Sequence, residues 1–160
     1  MTNAEKLVEM LIERGYYISC AESCTGGKVT GAIVDVADAS KVLNASIVTY
    51  SNEAKMRYLG VKEETLTKYG AVSENTAWEM AAGIAKANDA EIGVGVTGLA
   101  GPGGGTKEKP VGMVCFGFSI CGEVTTITKQ FGDIGRNQVR EKSVAFVLET
   151  LVAILENREE

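Results

Sequence analysis

The stretch Tyr16-Tyr17-Ile18-Ser19-Cys20-Ala21-Glu22-Ser23-Cys24-Thr25-Gly26-Gly27-Lys28-Val29-Thr30-Gly31-Ala32-Ile33-Val34 changes character twice. Tyr16–Cys20 is apolar and rich in strand-forming residues, and it predicts a buried strand. From Gly27 to Val34 the residues are small and apolar, and they predict a helix. Between them, Ala21–Gly27 reads as a strand-to-helix turn carrying a hydroxyl, a thiol and a second hydroxyl. The first N–H groups of a helix have no partner within it, so such a turn can present open amides to an anion. Gly26 and Gly27 would let a substrate come close to the backbone.

Outward from this unit, strands and helices continue to alternate. Asn3 is the predicted cap of a first helix whose apolar face is Ala4, Leu7, Val8 and Leu11, with Gly15 as its stop. Asp35 to Lys41 reads as a polar connection, and Val42 to Tyr50 as a second strand. Short helices follow over Glu53–Leu59 and Glu63–Tyr69, each closed by a glycine. Ser73 caps a longer helix running to about Asn88, with Ala77, Met80, Ala81, Ile84 and Ala85 on one face, and Trp78 is also expected in the core. Ile92-Gly93-Val94-Gly95-Val96 predicts a central strand with a bulky neighbour packed against its glycines. Val111–Ile120 and Glu123–Gln130 alternate like a hairpin about Cys121-Gly122. A last helix spans Arg136 to Glu156, with Val139, Val144, Val147, Leu148, Leu151 and Leu155 inward. The expected fold is a three-layer α/β/α sandwich around a mixed, mostly parallel sheet that includes a β-hairpin, all in one domain over 1–160.

Composition narrows the chemistry. The chain has 45% hydrophobic and 23% charged residues, as ordinary globular proteins do. A net charge of -5 argues against a nucleic acid or an acidic membrane as partner. Met1-Thr2-Asn3-Ala4-Glu5-Lys6 lacks the regions of a signal peptide, so a cytoplasmic location with reduced thiols is expected. Cys20, Cys24, Cys115 and Cys121 do not have zinc-site spacing, and no metal is expected. The chain contains no histidine. That excludes Ser-His-Asp and Cys-His catalysis, so the base of any nucleophilic enzyme here must be a lysine, a tyrosine or a carboxylate.

Context decides what the other motifs mean. Gly93-Val94-Gly95-Val96-Thr97-Gly98 matches the dinucleotide fingerprint in letters, but Leu99-Ala100-Gly101-Pro102-Gly103-Gly104-Gly105 follows where a helix must open. Thr106 before Lys107 likewise breaks the phosphate-loop pattern. The glycine-rich loop reads instead as bare backbone facing a ligand. Tyr50 ends a strand, and Lys55 follows about one and a half helical turns later. On composition alone they are an ordinary packed tyrosine and a solvated lysine. Arg136 and Arg140 share a face at the start of the last helix. Cations there oppose the helix dipole, which suits either a bound phosphate or a plain surface helix.

The motifs together resemble the CinA C-terminal domain family, the nicotinamide-nucleotide amidases. The resemblance rests on Ala21–Gly27, Val48-Thr49-Tyr50-Ser51-Asn52-Glu53-Ala54-Lys55, Gly70-Ala71-Val72-Ser73-Glu74, Thr97–Gly104 and Glu108-Lys109-Pro110-Val111-Gly112, and it covers nearly the whole chain. One departure lies before the last helix, where Ile134-Gly135 stands between Gly132-Asp133 and Arg136 and the family has Gly-Asp-Arg. The resemblance implies a stand-alone amidase that converts nicotinamide mononucleotide to nicotinate mononucleotide and ammonia without a cofactor. It places the nucleophile at Ser23 and the activating pair at Tyr50 and Lys55. The substrate-binding positions expected are Cys24, Thr25, Gly26, Gly27, Gly101, Gly103, Arg136 and Arg140. The partners expected are the small-molecule substrate and at most a second copy in a homodimer, with no nucleic acid and no membrane. A non-catalytic nucleotide-binding module, or an amidase or esterase for another small substrate, are the alternatives left open.

Overall fold

In the computed structural model, which describes Met1–Arg158, the first helix opens one residue earlier than expected. The last two positions of the expected domain lie outside the described residues. Helix α1 (Asn3–Arg14) is capped by Thr2, whose hydroxyl accepts from the Glu5 amide while the Glu5 carboxylate accepts from the Thr2 amide. This reciprocal box satisfies two amides that the helix cannot.

Strand β1 (Ile18–Glu22) begins and ends two residues later than expected. All five of its residues are buried, so no alternation marks its end. Ala21 and Glu22 stay in the ladder because both edges are paired, Ala21 with Ile47 and Gly95, Glu22 with Val48 and Val96. Helix α2 (Lys28–Val34) follows, then a 3-10 turn at Ala39–Lys41 within the expected polar connection.

The expected strand Val42–Tyr50 contracts to β2 (Ile47–Val48), with Leu43 touching β1 through one isolated bridge to Ile18. Between these points side chains replace the ladder. The Ser46 hydroxyl accepts from the Cys20 amide, and the Ser19 hydroxyl donates to the Ala45 carbonyl.

Next come α3 (Asn52–Leu59), α4 (Glu63–Tyr69), α5 (Glu74–Ala87), β3 (Ile92–Gly98), β4 (Met113–Ile120), β5 (Glu123–Gln130) and α6 (Arg136–Glu156). The sheet order is β2-β1-β3-β4-β5. The pairs β2–β1 and β1–β3 are parallel, and β4 runs antiparallel to both β3 and β5. Four strands therefore point one way, while the pairings themselves divide evenly. The β4–β5 connection is the expected hairpin, turning through Cys121 and Gly122 at φ 49° and 92°.

The pleat sorts side chains between two helical layers. Ile18, Cys20, Val94, Val96, Phe116 and Phe118 pack with Leu7, Leu11, Val29, Ile33, Val139 and Leu151 under α1, α2 and α6. On the other face Ala21 packs with Leu59, Val61, Leu66, Met80 and Ile84 under α3, α4 and α5. Here the expected crowding of the glycine strand takes definite form. A Cβ at Gly95 would lie 2.7 Å from the Ala77 carbonyl, and Gly93 and Gly117 meet the α5 backbone as closely. The helix is thus seated directly on the sheet. That leaves no room for an indole on its inner face, and Trp78, expected in the core, is 47% exposed on its flank.

Candidate active site

Ser23 follows the last residue of β1, and its amide donates to the Val96 carbonyl at 3.0 Å, which ties it to the neighbouring strand. Lys55 comes from the first turns of α3. That helix starts where the Ser51 hydroxyl accepts from the Ala54 amide, an N-cap that fixes the direction of the helix against the sheet. The two side chains meet. Lys55 Nζ lies 3.1 Å from Ser23 Oγ and donates to the carbonyls of Thr49 at 2.9 Å and Tyr50 at 3.3 Å. Lys55 is 1% exposed, far from the solvated lysine of base rates. Among the described residues no carboxylate forms an ion pair with it. Burial lowers its pKa from the ordinary lysine value, against a smaller opposing pull from Cys24.

The turn itself departs from expectation in one respect. The amides of α2 are not open to an outside anion, because the buried Glu22 carboxylate occupies them. Its oxygens accept from the amides of Gly27, Val29 and Thr30 at 3.1, 2.9 and 2.9 Å, and from the Thr30 hydroxyl at 2.7 Å. A carboxylate at a helix start is favoured by the same partial positive charge that would attract a phosphate, and the internal one is already in place. The Gly26 amide is engaged as well, donating to the Ser23 carbonyl at 3.0 Å. The amides of Cys24 and Thr25 donate to no oxygen among the described residues, and both residues lie buried beside Ser23. Gly26 and Gly27, at φ 56° and 98°, let the chain turn from β1 into α2 within this space.

Neither neighbouring side chain competes with Ser23. The Cys24 thiol is buried and pushed up to about 12, chiefly by burial, so it is protonated at neutral pH. The Thr25 side chain is wholly buried with its hydroxyl unpartnered, so it does not present itself to a solvent-side phosphate.

The other expected site residues form a rim. Tyr50 is 62% exposed, and its phenol meets Arg136, whose Nη2 donates to it at 3.0 Å. Only the backbone carbonyl of Tyr50 reaches Lys55, so the expected activating pair is not assembled through the phenol. Arg136 also donates through Nη1 to the Gly101 carbonyl at 2.7 Å, which joins the glycine-rich loop to the start of α6. Gly103 opens into a surface groove of about 700 Å³ beside Val111 and Gly132. Arg140 turns inward instead. Nε donates to the Cys24 carbonyl at 2.9 Å, Nη2 to the Thr25 carbonyl at 3.2 Å and Nη1 to Asn137 Oδ1 at 3.1 Å. Three of its donors are therefore engaged within the chain and not directed at a ligand. Among the described residues no three acidic, cysteine or histidine side chains converge to hold a metal.

The model of the CinA C-terminal domain matches residues 1–155. This chain belongs to that family. It is 52% identical over 145 residues to a CinA-like protein of Kosmotoga olearia, covering 91% of this chain and 35% of that one. It is 54% identical over 141 residues to a competence-damage inducible protein of Clostridium acetobutylicum, covering 88% and 34%. The chain thus spans about a third of the length of the curated relatives it matches. A solved CinA superfamily protein from Klebsiella pneumoniae superposes with a TM-score of 0.93 at 34% identity, covering 98% of this chain and 97% of its own. The competence/damage inducible protein CihA of Agrobacterium tumefaciens superposes at 0.89 with 43% identity and 98% coverage of each.

In this CinA domain the contributions that sequence reading missed are Glu22 and the Thr49 carbonyl. Glu22 carries a readable signal: an acid closing a largely apolar strand, six residues ahead of a helix start, can reach that helix's first amides. The Thr49 carbonyl carries none, because backbone acceptors have no letter in a sequence.

Proposed function

We propose that this domain hydrolyses the carboxamide of nicotinamide mononucleotide to nicotinate mononucleotide and ammonia. The observation that carries the reading is the Lys55–Ser23 pair, 3.1 Å apart, with the lysine buried and without an ion-pair partner among the described residues. The relatives' names describe induction by competence or damage, which is a setting and not a reaction, so the chemistry is read from the site. Carbonyls can only accept, so an uncharged amine can give its two N–H groups to Thr49 and Tyr50 and turn its lone pair to the Ser23 hydroxyl. That is the arrangement of an activated nucleophile.

Ser23 Oγ attacks the amide carbon while its proton passes to Lys55 Nζ. The carbonyl electrons move onto oxygen, and the oxyanion is held by the amides of Cys24 and Thr25, which no oxygen of the chain occupies among the described residues. Collapse of the intermediate breaks the C–N bond, and the nitrogen leaves as ammonia with the proton from Nζ. Water then gives a proton to Nζ as it attacks the acyl group, and Ser23 recovers that proton on release. Arg136 keeps three guanidinium N–H donors beyond its bonds to Gly101 and Tyr50, and it is the cation proposed for the substrate phosphate.

The test is ammonia release from nicotinamide mononucleotide by the wild type, Ser23→Ala, Lys55→Met and Cys24→Ala. Wild-type turnover with loss in the first two variants and retention in Cys24→Ala is expected. A folded Ser23→Ala protein that still turns over refutes the assignment.

A further inference from the structure

We propose that Arg140 is a positioning residue for the oxyanion site and acts through the backbone of the Cys24–Thr25 turn, not through the substrate phosphate. This deepens the amidase reading and rests on it for the role given to the turn.

The argument is one of peptide geometry. Among the described residues the only cis peptide is Gly101–Pro102, so the peptides of the turn are trans. In a planar trans peptide the C=O and the following N–H point in opposite directions. Arg140 Nε holds the Cys24 carbonyl at 2.9 Å, and this aims the Thr25 N–H away from the guanidinium. The Ser23 carbonyl accepts from the Gly26 amide at 3.0 Å, which in the same way aims the Cys24 N–H out of the turn. These are the two amides of the turn with no oxygen acceptor among the described residues, so the direction of each is set by a bond to the carbonyl of its own peptide plane. Arg140 supplies one of these bonds and steadies the next plane through the Thr25 carbonyl. The guanidinium is itself held by Asn137 and packs close against the turn, where a Cβ on Gly26 would come within 3.2 Å of Nη2. No ion pair neutralises it among the described residues. Arg136, one helical turn earlier, bonds only rim groups, so the two arginines divide the work.

The experiment measures kcat and KM of Arg140→Lys and Arg140→Met on nicotinamide mononucleotide and on nicotinamide riboside, which lacks the phosphate. A positioning role predicts a fall in kcat of about 10- to 100-fold, less than the roughly 10²- to 10³-fold lost when an oxyanion donor is removed outright, with the same factor on both substrates and little change in KM. Arg136→Gln, the comparator, should raise KM for the mononucleotide. A penalty on the mononucleotide alone, expressed in KM, overturns the proposal. Near-UV circular dichroism and the exchange rate of the Thr25 amide separate misaiming from unfolding. If Arg140→Met does not fold, Arg140→Lys decides by the same readouts. Acylation by p-nitrophenyl acetate separates the two readings. If the wild type releases no ammonia from either nicotinamide compound, the amidase reading fails. The Arg140 role then stands if p-nitrophenolate release still falls 10- to 100-fold in the variants. It is overturned if release stays at the wild-type rate, or if the wild type is inert to the ester.

Discussion

Lys55 Nζ stands 3.1 Å from Ser23 Oγ inside the protein, where two backbone carbonyls accept from it and, among the described residues, no carboxylate pairs with it. A serine–histidine pair relies on a carboxylate to orient and support its base. Here exclusion of water does the corresponding work, because burial disfavours the charged amine.

The first consequence is a pH profile. As the proposed base, Lys55 must be unprotonated to act, so kcat/KM should rise with pH and level off. The midpoint should lie below the ordinary lysine value of about 10.4, because the shift is downward. A rate profile with its midpoint at the ordinary value would show that the buried amine is not the base.

The same shift has a stability counterpart whose sign is fixed by linkage. Between the lowered folded pKa of Lys55 and about 10.4, the unfolded chain binds more protons than the folded one, so stability gains with rising pH. The Tm of the wild type minus that of Lys55→Met should therefore increase from neutral pH towards about pH 10 and then flatten. A difference independent of pH would contradict the shift.

Tyr50→Phe separates the phenol from the base. The hydroxyl bonds Arg136 and not Lys55, so its loss should raise KM roughly 2- to 10-fold, the worth of one ordinary hydrogen bond, and spare kcat. A fall in kcat of about 100-fold or more would instead mark the phenol as a proton carrier.

Glu22→Gln tests the internal cap of α2. The amide nitrogen of glutamine would place donors against the Thr30 amide and hydroxyl, both of which now donate to one carboxylate oxygen. A loss on the order of 3 kcal/mol is expected, read from the urea midpoint. An unchanged midpoint would mean that the helix start does not depend on the carboxylate.

Gly117→Ala addresses the seating of α5. A Cβ there meets the Ala77 carbonyl and the Ala81 side chain, so the helix must shift outwards. Destabilisation of about 1–3 kcal/mol is expected by the same measurement. Trp78→Ala, on the exposed flank, should cost less.

Much of this was legible in the sequence because periodicity and breakers speak locally. Gly15, Gly60 and Gly70 end helices where they were expected to, and the β4–β5 hairpin turns at Cys121-Gly122. The central glycine strand was readable because glycine at alternate positions implies a close neighbour. Less legible were features set by partners distant in the chain. Strand β2 shrank because Ser19 and Ser46 side chains take over its pairing, and β1 shifted two residues along the chain because Ala21 and Glu22 are paired on both edges. Ser23 and Lys55 were named through a family resemblance, while their contact across 32 positions is a product of the fold. The inward turn of Arg140 could not be read from spacing, since two arginines four apart on a helix look alike until their carbonyl partners are known.

The carboxylate of Glu22 has a further consequence. Because it seals the end of α2 from within, the pull on an incoming anion is left to exposed side chains at the rim, with Arg136 foremost. On the proposed amidase reading, address and engine are then separate parts. Exchanging the rim arginine and the glycine loop would redirect the same serine to uncharged amides without rebuilding the turn that drives it. Added salt, likewise, should weaken capture of a phosphorylated substrate while leaving the bond-breaking step untouched.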